Sequence, residues 1–317
     1  MKIAFYVNIV SPHQVPLAEE LVKRIGAENF RYVPWEKFHT ERAEMGWGEL
    51  KRDWITDDAG ALDAADVIYT ATREVPRLER WLQAGKTVLY YGERWFKPPI
   101  GRLRMLHPRF RKRIKGMVRL AKEYSAFKFL PIGVHARRDY VRAGVPEAKM
   151  TTWGYFVAPS EVPDFRRPSA AGLKVLWAGR RIPLKNVEII EKACRRVGVP
   201  LDLVSNVPIE RVREEMRGHE VFVFASNGFD GWGAVVSEAL EEGMIVLGSN
   251  EAGAPATLLP PELRFNCRDH RALADLLGRL KDGRDAGLRA SAASALENYR
   301  SNWTAAAAAG KFLELCK

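Results

Sequence analysis

Short apolar runs alternate along this chain with longer stretches whose apolar residues recur three or four apart. Runs at residues 2–7, 66–70, 87–91 and 127–130 predict buried strands, since such runs without polar alternation suit a sheet covered on both faces. Between the first two, Leu17, Leu21, Val22 and Ile25 mark the inner face of a helix. The alternation restarts near residue 174. Strands are predicted at 174–178, 201–204, 221–225 and 245–249, and helices at 186–197, 234–242 and 271–281. Gly243 is placed to cap the 234–242 helix, and two alanine-rich helical stretches close the chain. The pattern predicts an α/β protein with two doubly wound, Rossmann-like lobes built on parallel sheets.

Residues 158–172 interrupt this order. They read APSEVPDFRRPSAAG, with three prolines and no periodic apolar stripe, and predict a linker. A chain of 317 residues is long for one core and suits two domains. The expected division is an amino-terminal lobe at 1–157, the linker at 158–172 and a carboxy-terminal lobe at 173–300. No internal repeat of fixed period is visible.

Composition narrows the class. Hydrophobic residues make up 47% and charged residues 28%, which excludes disorder. The three cysteines, Cys194, Cys267 and Cys316, are far apart and odd in number. They form neither a metal-ligand spacing nor a disulfide framework, and a reducing cytoplasm is expected. The apolar runs are strand-sized, short of the roughly 20 residues a spanning helix needs. The opening MKIAFYVNIV ends at Ser11-Pro12-His13 without a small-residue cleavage site, and predicts a first strand rather than a signal peptide.

The most informative stretch is ASNGFDGWGAVVSEALEEGMIVLGSNEAGAP, residues 225–255. A loop with Gly228, Gly231 and Gly233 leaves a strand and enters a helix. Glycines let backbone approach a ligand closely, and the free amides at a helix start attract anions such as a diphosphate. Asp230 precedes the helix and Glu238 lies inside it, both suited to accepting hydrogen bonds from sugar hydroxyls. Upstream, Arg180 ends a strand and Lys185 precedes the next helix. Cations there can clamp a diphosphate and stabilise it as a leaving group.

Strand–Gly179-Arg180–x4–Lys185–helix, followed by Asp230-Gly-Trp-Gly-x4-Glu238-Ala-Leu-x2-Gly243 and then Gly253 and Pro255, resembles the donor lobe of family 4 retaining glycosyltransferases of the GT-B fold. The resemblance implies two lobes facing across a cleft, with a closing helix, residues 301–317, returning to the first lobe. It implies that Asp230 contacts hydroxyls of the transferred sugar and Glu238 the nucleotide ribose. Arg180 and Lys185 would bind the diphosphate, and the backbone of Phe229, Gly231, Trp232 and Gly233 would touch sugar and phosphate. The family carries Glu-x7-Glu, whereas Asp230 occupies the first position here and shortens the reach by one bond, about 1.5 Å. Ser11 and His13 in the first strand–loop, and Glu93-Arg94 after the strand TVLYY, are similar to the acceptor side of such enzymes. His107 and His135 are further candidates for a histidine beside the sugar.

The resemblance implies a hexosyltransferase that uses a UDP- or GDP-linked sugar, with retention, no cofactor and no metal. A glycan or lipid-linked acceptor in bacterial surface-polysaccharide assembly is the expected setting. A catalytically weak nucleotide-binding module docked on the membrane is the alternative, kept open by Asp230. A dinucleotide oxidoreductase is disfavoured because no G-x-G-x-x-G follows the first strand.

The net charge of +11 calls for an anionic partner and is unevenly spread. Residues 102–122, from Arg102 to Lys122, hold nine lysines and arginines and no acid. Leu103, Leu106, Phe110, Ile114, Met117 and Ala121 recur three or four apart, and Pro108 is placed to start the main helix. A basic amphipathic helix predicts docking on an anionic membrane surface, here the inner face of the cytoplasmic membrane. The bland reading is a solvated helix packed on the lobe by its apolar stripe. Phe110 alone could stack on a base, so nucleic acid is not expected.

Overall fold

The computed structural model describes residues 1–36, 50–160, 172–283 and 286–317. The predicted linker falls largely on residues 161–171, outside the described residues. The chain divides into two compact units, with boundaries after Tyr155 and Ala307. The first comprises residues 1–155 and the terminal Ala308–Lys317; the second is Phe156–Ala307, each within the described residues.

In the first unit the strands are β1 (Ile3–Val7), β2 (Phe30–Pro34), β3 (Val67–Thr70), β4 (Thr87–Gly92) and β5 (Phe127–Pro131). All neighbours pair in parallel, in the order β2-β1-β3-β4-β5. Helices α1 (Val15–Ile25), α2 (Gly60–Ala64), α3 (Val75–Gln83), α4 (Pro108–Glu123) and α5 (Gly133–Ala143) connect or flank them. Parallel crossovers are right-handed, so winding outward from β1 in both directions sets helices on both faces. The strands are almost wholly buried, hence their unbroken apolar runs. Aromatics dominate one side of the core: Tyr69 stacks on Tyr91 at 4.3 Å, and Phe5 lies 4.4 Å from Tyr69. Phe312, near the chain's end, packs against Phe5, Tyr69 and Trp153, which ties Ala308–Lys317 to this unit.

The basic segment starts its helix at Pro108 as expected, but its apolar positions do not form one continuous face. A 3-10 turn at Gly101–Leu106 precedes α4, and His107 caps the helix through Nδ1, which accepts from the Phe110 amide. Proline excludes the residue before it from helical geometry, so His107-Pro108 breaks the stripe in two. Ile114, Met117 and Ala121 are buried in the core of the unit. Leu103 and Leu106 stay in the turn, 65% and 74% exposed. The helix therefore packs by its own apolar face, and the exposed apolar residues belong to the turn.

In the second unit the order is β10-β9-β8-β6-β7, again all parallel. Its strands are β6 (Val175–Ala178), β7 (Leu201–Val204), β8 (Val221–Phe224), β9 (Ile245–Ser249) and β10 (Arg264–Phe265). Its helices are α6 (Val187–Val197), α7 (Ile209–Gly218), α8 (Ala234–Glu241), α9 (Gly253–Leu258), α10 (His270–Lys281) and α11 (Ala286–Asn302); a last helix, α12 (Ala305–Leu315), starts here and ends in the first unit.

Candidate functional site

In the second unit β6 leads through α6 to β7 on one side, and the next strand, β8, pairs on the other side of β6. Winding reverses there, so the loops after β6 and β8 part and leave a crevice beyond the carboxyl ends of the strands. Lys185 comes from the first loop and Asp230 from the second. Lys185 Nζ lies 2.5 Å from Asp230 Oδ2, with the side chains only 16% and 17% exposed. The ammonium also sits 5.1 Å from the centre of the Phe224 ring.

Local structure forces this meeting. Lys185 ends a 3-10 turn, and Asn186 follows in the left-handed conformation, φ 48°. Asn186 Nδ2 donates to the carbonyls of Ala225, at 3.0 Å, and Cys267, at 3.3 Å. The Asn227 amide donates to Leu184 O at 2.9 Å. The two loops are thus stitched together beneath the ion pair.

The glycine loop is similarly constrained. The Phe229 and Asp230 amides donate to Asn227 Oδ1 and O, both at 3.1 Å, and the Gly228 amide donates to Glu251 Oε2 at 3.3 Å. Gly233 has φ +89°, and a Cβ there would meet the Phe224 ring at 2.4 Å. A Cβ on Gly253 would meet Gly231 O at 2.2 Å, and Ala254 N donates to Trp232 O at 2.9 Å. The start of α9 is thereby pressed against the loop. Helix α8 begins at Ala234; the Val236 amide donates to Gly233 O at 3.0 Å, which leaves the Ala234 and Val235 amides without an intrahelical acceptor. That end of the helix favours a negative guest.

Glu238 lies in α8 and is 4% exposed. Burial pushes its carboxyl up to about 7; nearby Glu242 adds to this and Arg213 opposes it. Glu242 itself is fully buried and bridged by Arg213 at 2.6 Å and Arg217 at 3.0 Å, with Ser160 Oγ donating at 2.8 Å. Burial alone would raise Glu242, but these bonds outweigh it and hold its carboxyl below the usual range. A stability prediction follows from Glu238. The folded chain keeps its proton up to about pH 7, whereas the unfolded chain releases it near 4.5. The carboxyl therefore stabilises the fold most below pH 4.5, and that contribution is lost as pH rises through 7. Glu238→Gln cannot ionise. Relative to wild type it should gain up to about 3 kcal/mol between pH 4.5 and 7. Urea unfolding at pH 5 and pH 8 checks this; an equal difference between the proteins at both pH values contradicts it.

Other expected donor contacts fall as follows. Arg180 is exposed at the end of β6 and makes no side-chain hydrogen bond or ion pair with another described residue. Phe229 is 46% exposed at the loop tip. The Trp232 side chain is 2% exposed, packs 6.0 Å from Trp303 and donates to Ser237 Oγ at 3.3 Å. Its indole is a core group, so a ligand contact by Trp232 is left to the backbone.

The acceptor-side candidates lie in the first unit, and only part of the expected set converges. Ser11 Oγ accepts from the His13 amide at 3.3 Å. The His13 ring is stacked at 6.5 Å from Tyr155, whose hydroxyl donates to Glu93 Oε1 at 3.5 Å. Burial pushes the His13 imidazole down to about 4, so it is neutral near pH 7. Glu93 also pairs with Lys97 at 2.6 Å. Arg94 turns away instead. It bridges the buried Asp139 at 3.3 Å, while the Phe96 amide donates to the same carboxylate at 2.9 Å. Buried Asp139 needs a cation and amide donors, and Arg94 meets that demand. Arg94 therefore bridges Asp139, while Glu93 pairs with Lys97.

Asn186, Asn227 and Glu251 were not foreseen as parts of the site. The available signal was position: each follows closely on the carboxyl end of a strand or opens the next helix. Among the described residues no group of three or more His, Cys, Asp or Glu is placed to hold a metal ion.

Two parallel five-stranded sheets, each reversing its winding at an interior strand, make the GT-B fold of glycosyltransferases, and solved structures match the chain end to end. HepE from Anabaena in complex with UDP matches with a TM-score of 0.67 at 13% identity, covering 99% of each chain. The lipopolysaccharide outer core galactosyltransferase WaaB, in its apo form, matches at 0.66 and 12%, again over 99% of each chain. A glycosyltransferase from Rickettsia africae ESF-5 matches at 0.62 and 12%, over 100% of this chain and 98% of that one. At such identities the likeness is one of fold. No family model matches the chain, and no curated protein matches it in sequence.

Proposed function

We propose that the protein is a glycosyltransferase that moves a sugar from a nucleoside diphosphate donor to a hydroxyl acceptor. The observation that carries this is the Lys185–Asp230 pair at the winding reversal of the second sheet, beside a glycine loop that opens α8. A diphosphate suits the α8 amides and Lys185, with Arg180 free to swing onto it. Asp230, released from Lys185 by the incoming phosphates, accepts from hydroxyls of the transferred sugar. Glu238 takes the ribose hydroxyls. The HepE structures, which hold UDP and UDP-glucose, support a donor of this class.

In the reaction the sugar's anomeric carbon leaves the diphosphate oxygen and bonds to the acceptor oxygen on the same face, with retention. The departing diphosphate takes the acceptor proton. Lys185 and Arg180 stabilise the charge that develops on it, and no metal is needed for that neutralisation. The test is a panel of UDP- and GDP-linked hexoses, scored by thermal stabilisation and slow release of nucleoside diphosphate. A ligand that binds the folded state alone raises its stability. Stabilisation without release, even with acceptors added, would favour an inactive nucleotide-binding module.

The setting proposed is bacterial surface-glycan assembly on the cytoplasmic side of the membrane, in keeping with the WaaB match. No helix among the described residues is long and apolar enough to cross a membrane. Peripheral docking is assigned to the turn before α4. Exposed Ile100, Leu103 and Leu106 sit there among Arg102, Arg109 and Arg111. Apolar insertion beside cations is how a surface segment holds an anionic bilayer. Sedimentation with phosphatidylglycerol vesicles should fall roughly tenfold for the double variant Leu103→Asp, Leu106→Asp. Equal sedimentation of both proteins excludes the turn as the anchor.

A further inference from the structure

The first unit has its own winding reversal. Strand β1 leads to β2 on one side, and β3 then pairs on the other side of β1. A cavity of about 580 Å³ opens there, lined by Tyr6 of β1, by Ala71, Thr72 and Arg73 just after β3, and by Trp35 and Arg113. A second cavity of about 830 Å³ adjoins it and shares Arg73, Glu74 and Arg113. Its lining holds seven lysines and arginines against one acid, Glu74.

The two cavities differ in chemistry. In the first, Trp35 is 38% exposed and its ring lies 4.7 Å from Tyr6. A half-exposed indole backed by a second ring is a platform for the apolar face of a sugar. Thr72 supplies a hydroxyl nearby. In the second cavity charge prevails. Glu74 is engaged by Arg77 at 3.0 Å, and Arg119 by Glu79 at 2.9 Å. Arg109, Lys112, Arg113 and Lys115 have no acidic partner among the described residues. Arg73 stands where the cavities meet. Its Nε donates to Tyr90 Oη at 3.1 Å, which fixes the guanidinium and leaves its terminal nitrogens for a ligand. An arginine fixed by Tyr90, beside an exposed arginine with no acidic partner among the described residues, fits a phosphate at the edge of a sugar-sized hollow.

The geometry points to an acceptor site for a sugar that carries a phosphate, the ring resting on Trp35 and the phosphate lying between Arg73 and Arg113. This rests on the transferase reading, since it names the acceptor class for that reaction. The shared chemistry is a glycosyl phosphate, whether a soluble sugar phosphate or a sugar joined through phosphate to a lipid.

Binding of glucose 1-phosphate, inorganic phosphate and methyl α-glucoside, followed by ligand-observed NMR, tests it. Wild type should bind glucose 1-phosphate more tightly than either fragment. Arg113→Glu, at an exposed position, should weaken glucose 1-phosphate roughly tenfold or more. Trp35→Ala should weaken glucose 1-phosphate and leave inorganic phosphate unchanged. Arg111→Glu, on the same helix but outside both cavities, should change little. Equal losses for Arg111→Glu and Arg113→Glu would mean diffuse charge attraction and overturn the site. Glucose 1-phosphate binding no tighter than inorganic phosphate would also overturn it. A dodecyl phosphodiester of glucose separates the two sources: tighter binding than glucose 1-phosphate assigns the lipid-linked form, and equal binding the soluble one. UDP stabilisation, measured on the same variants, should be unchanged. Its absence already in wild type is a failure of the donor site and not of this one.

Discussion

Lys185→Ala should lower nucleoside diphosphate release by about 10³-fold, the scale on which a single preorganised donor to a developing oxyanion acts. The argument is geometric. Lys185 is the cation that the β6 loop delivers to the winding reversal, and Asn186 and Asn227 hold that loop against the β8 end. Its ammonium is largely buried against Asp230 and the Phe224 ring. Its charge is therefore poorly screened and felt strongly by a bound diphosphate. Alanine also leaves Asp230 without its ion partner, which costs stability. Asp230→Asn separates the two effects, because it removes the same ion pair while keeping the ammonium. If Lys185 acts on the leaving group, Asp230→Asn retains UDP-dependent stabilisation and Lys185→Ala loses most of it. Equal behaviour of the two variants, or near-normal release by Lys185→Ala, would place the diphosphate elsewhere.

Gly233→Ala should cost about 3–5 kcal/mol of stability and remove donor binding with it. Two penalties add. The left-handed backbone at φ +89° strains any residue with a Cβ. The new methyl would also lie 2.4 Å from the ring of Phe224, which is 1% exposed in the β8 strand. Phe224 cannot retreat into a packed core. Its ring is the surface under the Lys185 ammonium, so any shift is passed to the ion pair. Gly85→Ala is the control. Gly85 has φ +78° and nothing within 4 Å of its would-be Cβ, so the backbone term alone applies, about 1 kcal/mol. Urea midpoints for the two variants give the comparison. A Gly233→Ala protein no less stable than Gly85→Ala would mean that the loop tolerates a side chain.

The structure brings the expected donor-side residues Lys185 and Asp230 together more fully than the acceptor-side ones, for a physical reason. The residues proposed for the donor come from one contiguous loop–helix and one nearby strand end, where spacing is a guide to position. On the acceptor side the two neighbouring candidates Glu93 and Arg94 take different partners: Arg94 bridges Asp139, 45 residues away, and Glu93 pairs with Lys97. Such a partner is chosen by where α5 packs, which no local pattern records. The basic segment shows the same limit. Spacing alone joins the apolar positions on either side of Pro108 into one stripe, whereas the structure buries those after it and leaves Leu103 and Leu106 before it exposed.

By itself the sequence determined the two blocks of alternating strands and helices and the glycine loop entering α8. These depend on periodicity and backbone preference, which act between near neighbours. Only the tertiary structure decided that Lys185 meets Asp230 across 45 residues, that Glu238 is buried deeply enough to hold a proton, and that Arg73 joins two cavities. Each of these depends on strand order. The reversal of winding at β1 and at β6 is written in no single segment, and it is what brings the distant loops together.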